Sequence, residues 1–244
     1  MLITEPGELN KLYQEKNFDG LITIAPLEDY TIFTKDLPEE MPKILFNDHL
    51  PELEINSVMP DYLSSSYQVI KHLYDTGHRR ISSIFISRRG GMATNPHLFE
   101  PENTFRYYLE RFGLSTKYCR HIKIPFILSP ELFPYFNETI DTFLQNGDFP
   151  DAFFIGDQYI PYWCRCLNKK GFSIPDDVSI VGFDNKGNSL NGLGVTSVDF
   201  NLKTAGEKAF QLLYNEICTG VRNNFKIDIK PKLILRETVR RRDL

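Results

Sequence analysis

Two aspartates carry most of the chemistry this sequence offers. Asp157 and Asp184 each close a short apolar run, 152–155 and 178–183, that is too short for a helix and ends at a polar turn. A carboxylate at the exit of a buried strand can accept hydrogen bonds from a polar ligand, or it can cap the turn that follows. Asp61 repeats the arrangement after the run 56–59, with N-capping of the next helix as its plainer role. The sequence holds no Gly-x-Ser-x-Gly elbow, no phosphate loop of the Gly-x4-Gly-Lys type and no His pair at i, i+4, so it points away from an enzyme. The four cysteines, at 119, 164, 166 and 218, lack paired metal spacing and read as structural thiols, and neither a metal nor a cofactor is expected. His78, beside Gly77, reads as a turn residue.

The elements that must position these aspartates follow from the stretch 151–185. Between the two apolar runs, Tyr159, Tyr162, Trp163, Cys166 and Leu167 recur at helical spacing up to Gly171, a natural helix stop. Strand, helix and strand, with both strands running from a turn into an aspartate, predict a parallel pair joined by a crossover helix. In open α/β sheets ligands collect at the carboxyl ends of the strands, which is where Asp157 and Asp184 fall. Further runs at 21–25, 43–46 and 80–86 are bounded by turns and separated by helical stripes such as 62–76, predicting parallel strands in two separate sheets. Strands are also expected at 121–126, 195–199 and 232–235, and helices at 7–16, 104–113, 130–145 and 202–217.

At 244 residues with 41% apolar content the chain can fill one large or two modest cores. Its net charge of −4 argues against a nucleic-acid clamp, and the one basic run, Arg240–Arg241–Arg242, reads as a solvated tail. No stretch approaches the roughly 18 apolar residues of a membrane span, and no leader pattern opens the chain, so a cytoplasmic protein is expected.

Four blocks of this sequence resemble, in order, the ligand-binding region of the lactose and galactose repressor family. They are His72–Leu73 with Gly77–His78–Arg79–Arg80–Ile81, the stretch 150–185, Val195–Thr196–Ser197–Val198 leading into Ala205–Gly206 and Ala209, and Pro231–Lys232–Leu233–Ile234–Leu235–Arg236–Glu237. The resemblance implies two Rossmann-like lobes of the periplasmic-binding-protein type, joined by three crossovers, with a small polar effector, a sugar, held between them. By the same resemblance lobe one is residues 1–87 with 196–228, and lobe two is 88–195 with 229–244. It implies sugar contacts from Asp184, Asp157 and Asp61, with Phe126 offering a ring to a sugar face. It further implies a homodimer, and DNA contact only through a head that has no counterpart here. The family's first strand and helix also lack a counterpart, which would leave a sheet edge open to pairing. Two family features are absent: an arginine that would fall near Pro101, and a polar residue that would fall at Phe200. Two other readings share this architecture, a stand-alone solute-binding protein and a dimerisation scaffold without ligand.

Overall fold

The computed structural model describes residues 11, 13–16, 18–24, 37–47, 49, 53–88, 100–124, 132–187, 189, 190 and 192–243. Their order is β1 (Leu21–Ile24), β2 (Lys43–Phe46), β3 (Asn56–Pro60), α1 (Tyr62–Asp75), β4 (Ile81–Arg88), α2 (Glu100–Arg111), β5 (Arg120–Ile124) and α3 (Leu132–Gln145). There follow β6 (Ala152–Gly156), α4 (Ile160–Lys169), β7 (Ser179–Phe183), β8 (Ser189–Leu190), β9 (Leu193–Gly194), β10 (Thr196–Asp199), α5 (Leu202–Thr219), β11 (Lys226–Ile229) and β12 (Lys232–Ile234). Most of the predicted helix at 7–16 and the predicted end of the strand at 121–126 lie outside the described residues.

The chain divides into two units. The first contains the described residues up to Asp61 and Asn201–Lys230, built on a four-stranded sheet in the order β1-β2-β3-β11 with every pairing parallel. Ile44 and Leu45, neighbours on β2, are both fully buried, as expected of a parallel sheet covered on both faces. Ile44 packs with Val58, Ile229 and the Ala205, Ala209 and Leu213 face of α5, while Leu45 joins Leu37, Met41 and Ile55. Asn201 caps α5 by accepting from the Thr204 amide, and Gly220 closes it in the left-handed conformation at φ +66°.

The second unit is built on a six-stranded sheet in the order β12-β10-β7-β6-β4-β5, parallel except for β12 against β10. Phe153, Ile155 and Ile180 point to one face, where α3 and α4 cover them with Phe136, Ile140, Trp163 and Leu167. Phe154 and Phe183 point to the other, against Phe105 of α2 and Tyr62 of α1. Two separate, predominantly parallel α/β sheets are therefore present, as the apolar runs predict.

Two expectations are corrected here. The chain leaves the first unit at Asp61 and not near residue 87, because β4 lies between β5 and β6 in the six-stranded sheet. For the same reason 196–200 and α1 belong to the second unit: β10 is laddered to β7, and the second unit resumes at Pro231 after β11. The basic C-terminal run is not a solvated tail. Thr238 is fully buried, its hydroxyl donating to Ile180 O (2.8 Å) and accepting from Thr196 N (2.9 Å), and its carbonyl accepts from Ile180 N. Arg240 pairs with Asp176, and Arg242 N donates to Thr76 O (2.8 Å), so the segment straps β7 and β10 to the end of α1. Gly77, at φ +92°, lets that strap approach, since a β-carbon there would collide with the Arg242 carbonyl.

Candidate functional site

The ladder between β6 and β7 ends with Gly156 opposite Phe183, so Asp157 and Asp184 leave the six-stranded sheet side by side at its carboxyl rim. Their environments differ. Asp157 opens the 3-10 turn Asp157–Tyr159 that leads into α4, and it is 1% exposed. Its Oδ1 accepts from Ser197 Oγ at 2.9 Å and its Oδ2 from the Lys186 amide at 2.6 Å. Gly182 on β7 makes room for this, because a β-carbon there would collide with Oδ1. Burial pushes the Asp157 carboxyl above its usual range, the Asp184 charge adds to that, and the Lys186 and Ser197 donors oppose it. The sequence reading takes Asp157 as a ligand acceptor; in the structure both oxygens are engaged in fastening the 184–186 loop.

Asp184 begins that loop at φ +107°, its amide donating to Val198 O at 3.0 Å. Its carboxylate is about a quarter exposed (24%) and meets Lys186 Nζ at 3.1 Å. Burial raises its pKa and Lys186 opposes the rise. Asp61 lies in the other unit, where its amide donates to Ile229 O at 3.0 Å past the end of β3. Phe126 lies outside the described residues.

Several rim residues carry no motif and escape a sequence reading. Asn185, at φ +52°, donates from its side-chain amide to Asp199 (3.2 Å) and accepts from Arg236 Nη2 (2.7 Å). Arg236 also donates to the Val195 carbonyl, which holds its guanidinium against the rim. The signals for it were its place in the last resemblance block and the left-handed turn suggested by Asp184–Asn185. Behind the loop, Phe183 packs on Phe200 (4.6 Å between centroids), and Tyr62 lies 6.2 Å from Phe183 and 5.7 Å from Phe200. Phe200, where the repressor family carries a polar side chain, is thus part of an aromatic wall. One carboxylate, an ammonium, an amide and a guanidinium near the half-buried ring of Phe183, with Tyr62 and Phe200 buried behind it, suit a polyhydroxylated small molecule, which offers hydroxyls to the polar groups.

The model of the periplasmic binding protein-like domain matches residues 70–239. This chain belongs to that family. Among curated proteins this family member is 26% identical over 184 residues to the HTH-type transcriptional repressor CytR of Escherichia coli K12, covering 70% of its own length and 50% of the repressor's. It therefore spans about half the length of that relative. Among solved structures, a LacI family transcriptional regulator from Enterococcus faecium with bound ribose superposes with a TM-score of 0.75 at 18% identity, over 98% of this chain and 86% of that one. A periplasmic binding protein/LacI transcriptional regulator from Alkaliphilus metalliredigens in complex with D-xylulofuranose superposes at 0.73 and 20% identity, over 96% and 82%. At these identities the likeness is one of fold. The resemblance to the lactose and galactose repressors and the two-sheet α/β architecture are both borne out. No described helix is long and apolar enough to cross a membrane, and among the described residues no group of three or more His, Cys, Asp or Glu could hold a metal ion.

Proposed function

We propose that this chain is the effector-sensing region of a cytoplasmic transcription regulator and that its effector is a sugar bound at the carboxyl rim of the six-stranded sheet. The observation that carries this reading is Asp184, a partly exposed carboxylate on a loop fastened by Asp157, Ser197 and Arg236, beside the aromatic wall. Its relatives add the class: repressors by name, and regulator structures that hold ribose or xylulose. On this reading the protein acts as a homodimer, and DNA is contacted through a separate DNA-binding head.

Binding would act by favouring one conformation of the region over another, which the heads then report. Calorimetry with pentoses, hexoses and their phosphates tests it. A carboxylate hydrogen bond shielded from water is worth about 1.5–3 kcal/mol, so Asp184→Ala should weaken the bound sugar by about one to two powers of ten. A sugar bound equally well by Asp184→Ala would refute the site, and no binding by any member of the panel would favour a scaffold without ligand.

A further inference from the structure

The first unit holds a cavity of about 410 Å³, a size that suits a small molecule, lined by Glu39, Glu40, Pro42, Glu216, Gly220 and Arg222. Lys43 opens β2 and Gly220 closes α5, so the cavity lies at the amino rim of that sheet, the end opposite to Asp61. Glu216 stands in the last turn of α5 and is 5% exposed, where both burial and the partially negative helix end disfavour a carboxylate. Burial accordingly pushes its pKa up, and Arg222, Asn56 and the Lys43 amide oppose the rise. Its Oε1 meets Arg222 Nε at 3.4 Å and its Oε2 accepts from Asn56 Nδ2 at 3.3 Å. An ionised carboxylate has about four acceptor sites, so these two groups and the Lys43 amide leave one for a ligand.

The mouth of the cavity is held in place as well. The Met41 amide donates to the Pro38 carbonyl at 3.2 Å, and the Met41 side chain is fully buried, which anchors the turn that carries Glu39 and Glu40. The Lys43 side chain is buried too, and its ammonium donates to the Pro38 carbonyl at 2.8 Å and the Glu39 carbonyl at 3.4 Å. Both nearby cations are therefore engaged, Lys43 by these carbonyls and Arg222 by Glu216, while Glu39 and Glu40 stand exposed.

We propose that this cavity binds an organic diammonium ion, with one end at Glu216 beside the carboxyl end of α5, the other at Glu39 and Glu40, and its methylene chain along Pro42. Three carboxylates against one guanidinium repel an anion and attract a cation. A metal ion needs oxygens that converge, and among the described residues no group of three or more His, Cys, Asp or Glu could hold one. A chain with a charge at each end instead suits carboxylates that are spread out, and each can accept a charge-assisted hydrogen bond from an ammonium. The site lies in the first unit and takes nothing from the sugar reading.

Calorimetry of the full chain with the four-carbon diamine putrescine tests it, with butylamine and Mg²⁺ as comparisons. Putrescine should bind with one equivalent, and butylamine, which has one charge, about tenfold or more weakly. Glu39→Gln with Glu40→Gln should weaken putrescine by a similar factor and leave the circular dichroism unchanged, because both side chains are exposed. Glu138→Gln with Glu207→Gln removes the same charge from exposed positions that do not line the cavity, and should leave the affinity as it was. No binding of millimolar putrescine by the wild type would overturn the proposal. So would equal weakening by the two double variants, which would mean a general attraction to an acidic chain, or displacement of putrescine by equimolar Mg²⁺.

Discussion

Replacing Asp157 separates a fastening role from a ligand contact. In Asp157→Ala, Ser197 Oγ and the Lys186 amide lose the acceptors they hold at 2.9 and 2.6 Å. Hydrogen bonds to a charged acceptor are worth about 1.5–3 kcal/mol each, and removing a buried carboxylate returns part of its desolvation cost, so the net loss should be about 2–4 kcal/mol. Asp157→Asn is more informative. Its amide nitrogen must face either the Lys186 N–H or Ser197 Oγ, and Ser197 Oγ already accepts from the Asn185 amide at 3.0 Å. One donor is therefore set against another or left without its acceptor, at a cost of about 1–2 kcal/mol. Trp163, the single tryptophan, is fully buried on α4 just beyond the Asp157 turn, so its fluorescence during urea unfolding reports on this unit. If Asp157→Ala unfolds at the wild-type urea midpoint yet fails to bind sugar, the carboxylate is a ligand contact and the fastening argument is wrong.

Three further outcomes are expected. His78 is fully buried; because the Leu73 carbonyl at 3.0 Å can only accept, Nδ1 carries the proton and Nε2 accepts from Ser179 Oγ at 2.8 Å. Burial lowers its pKa from 6.5 despite the nearby Asp151, so the stability it contributes is present above pH 6.5 and is lost as pH falls towards the lower folded value. Unfolding midpoints taken from pH 8 to 5 should show that loss in wild type and less of it in His78→Gln; equal slopes would refute it. Gly77→Ala should destabilise by more than about 1 kcal/mol, from the positive φ and the collision with Arg242, as read by the urea midpoint. Of the four thiols only Cys218 should react quickly with an aromatic disulfide reagent in the native protein, since Cys164 is buried with its pKa pushed up to about 12; a burst of two or more would contradict the packing.

The rim was legible because its physics is local. Apolar runs that stop at Gly156–Asp157 and Phe183–Asp184 mark strand exits whatever the rest of the chain does, and the strands Ala152–Gly156 and Ser179–Phe183 match them within a residue. Sheet membership is not local. Nothing in residues 80–86 says whether they ladder with 43–46 or with 152–155, and the first crossover was accordingly placed some 25 residues late. The strand Lys226–Ile229 escaped because its alternation of Lys, Ile, Asp and Ile reads as polar, although it is an edge strand with one face buried. The engagement of Asp157 was also invisible, since it depends on Ser197 forty residues away and on the space that Gly182 leaves. Arg240 and Arg242 looked like solvated charge for the same reason, their partners lying at 175, 176 and 76.

The strap also bears on how the protein is made. A ribosome releases residues in order, and β11 and β12, each at an edge of its sheet, emerge after every other described strand. Until Thr238 and Arg242 are out, Ile180, Thr196 and Thr76 lack the partners they hold in the finished molecule. The first unit must therefore wait, incompletely covered, for Lys226–Ile229 and the second for Thr238 and Arg242, and a break just before Thr238 should leave a nascent product for chaperones and proteases.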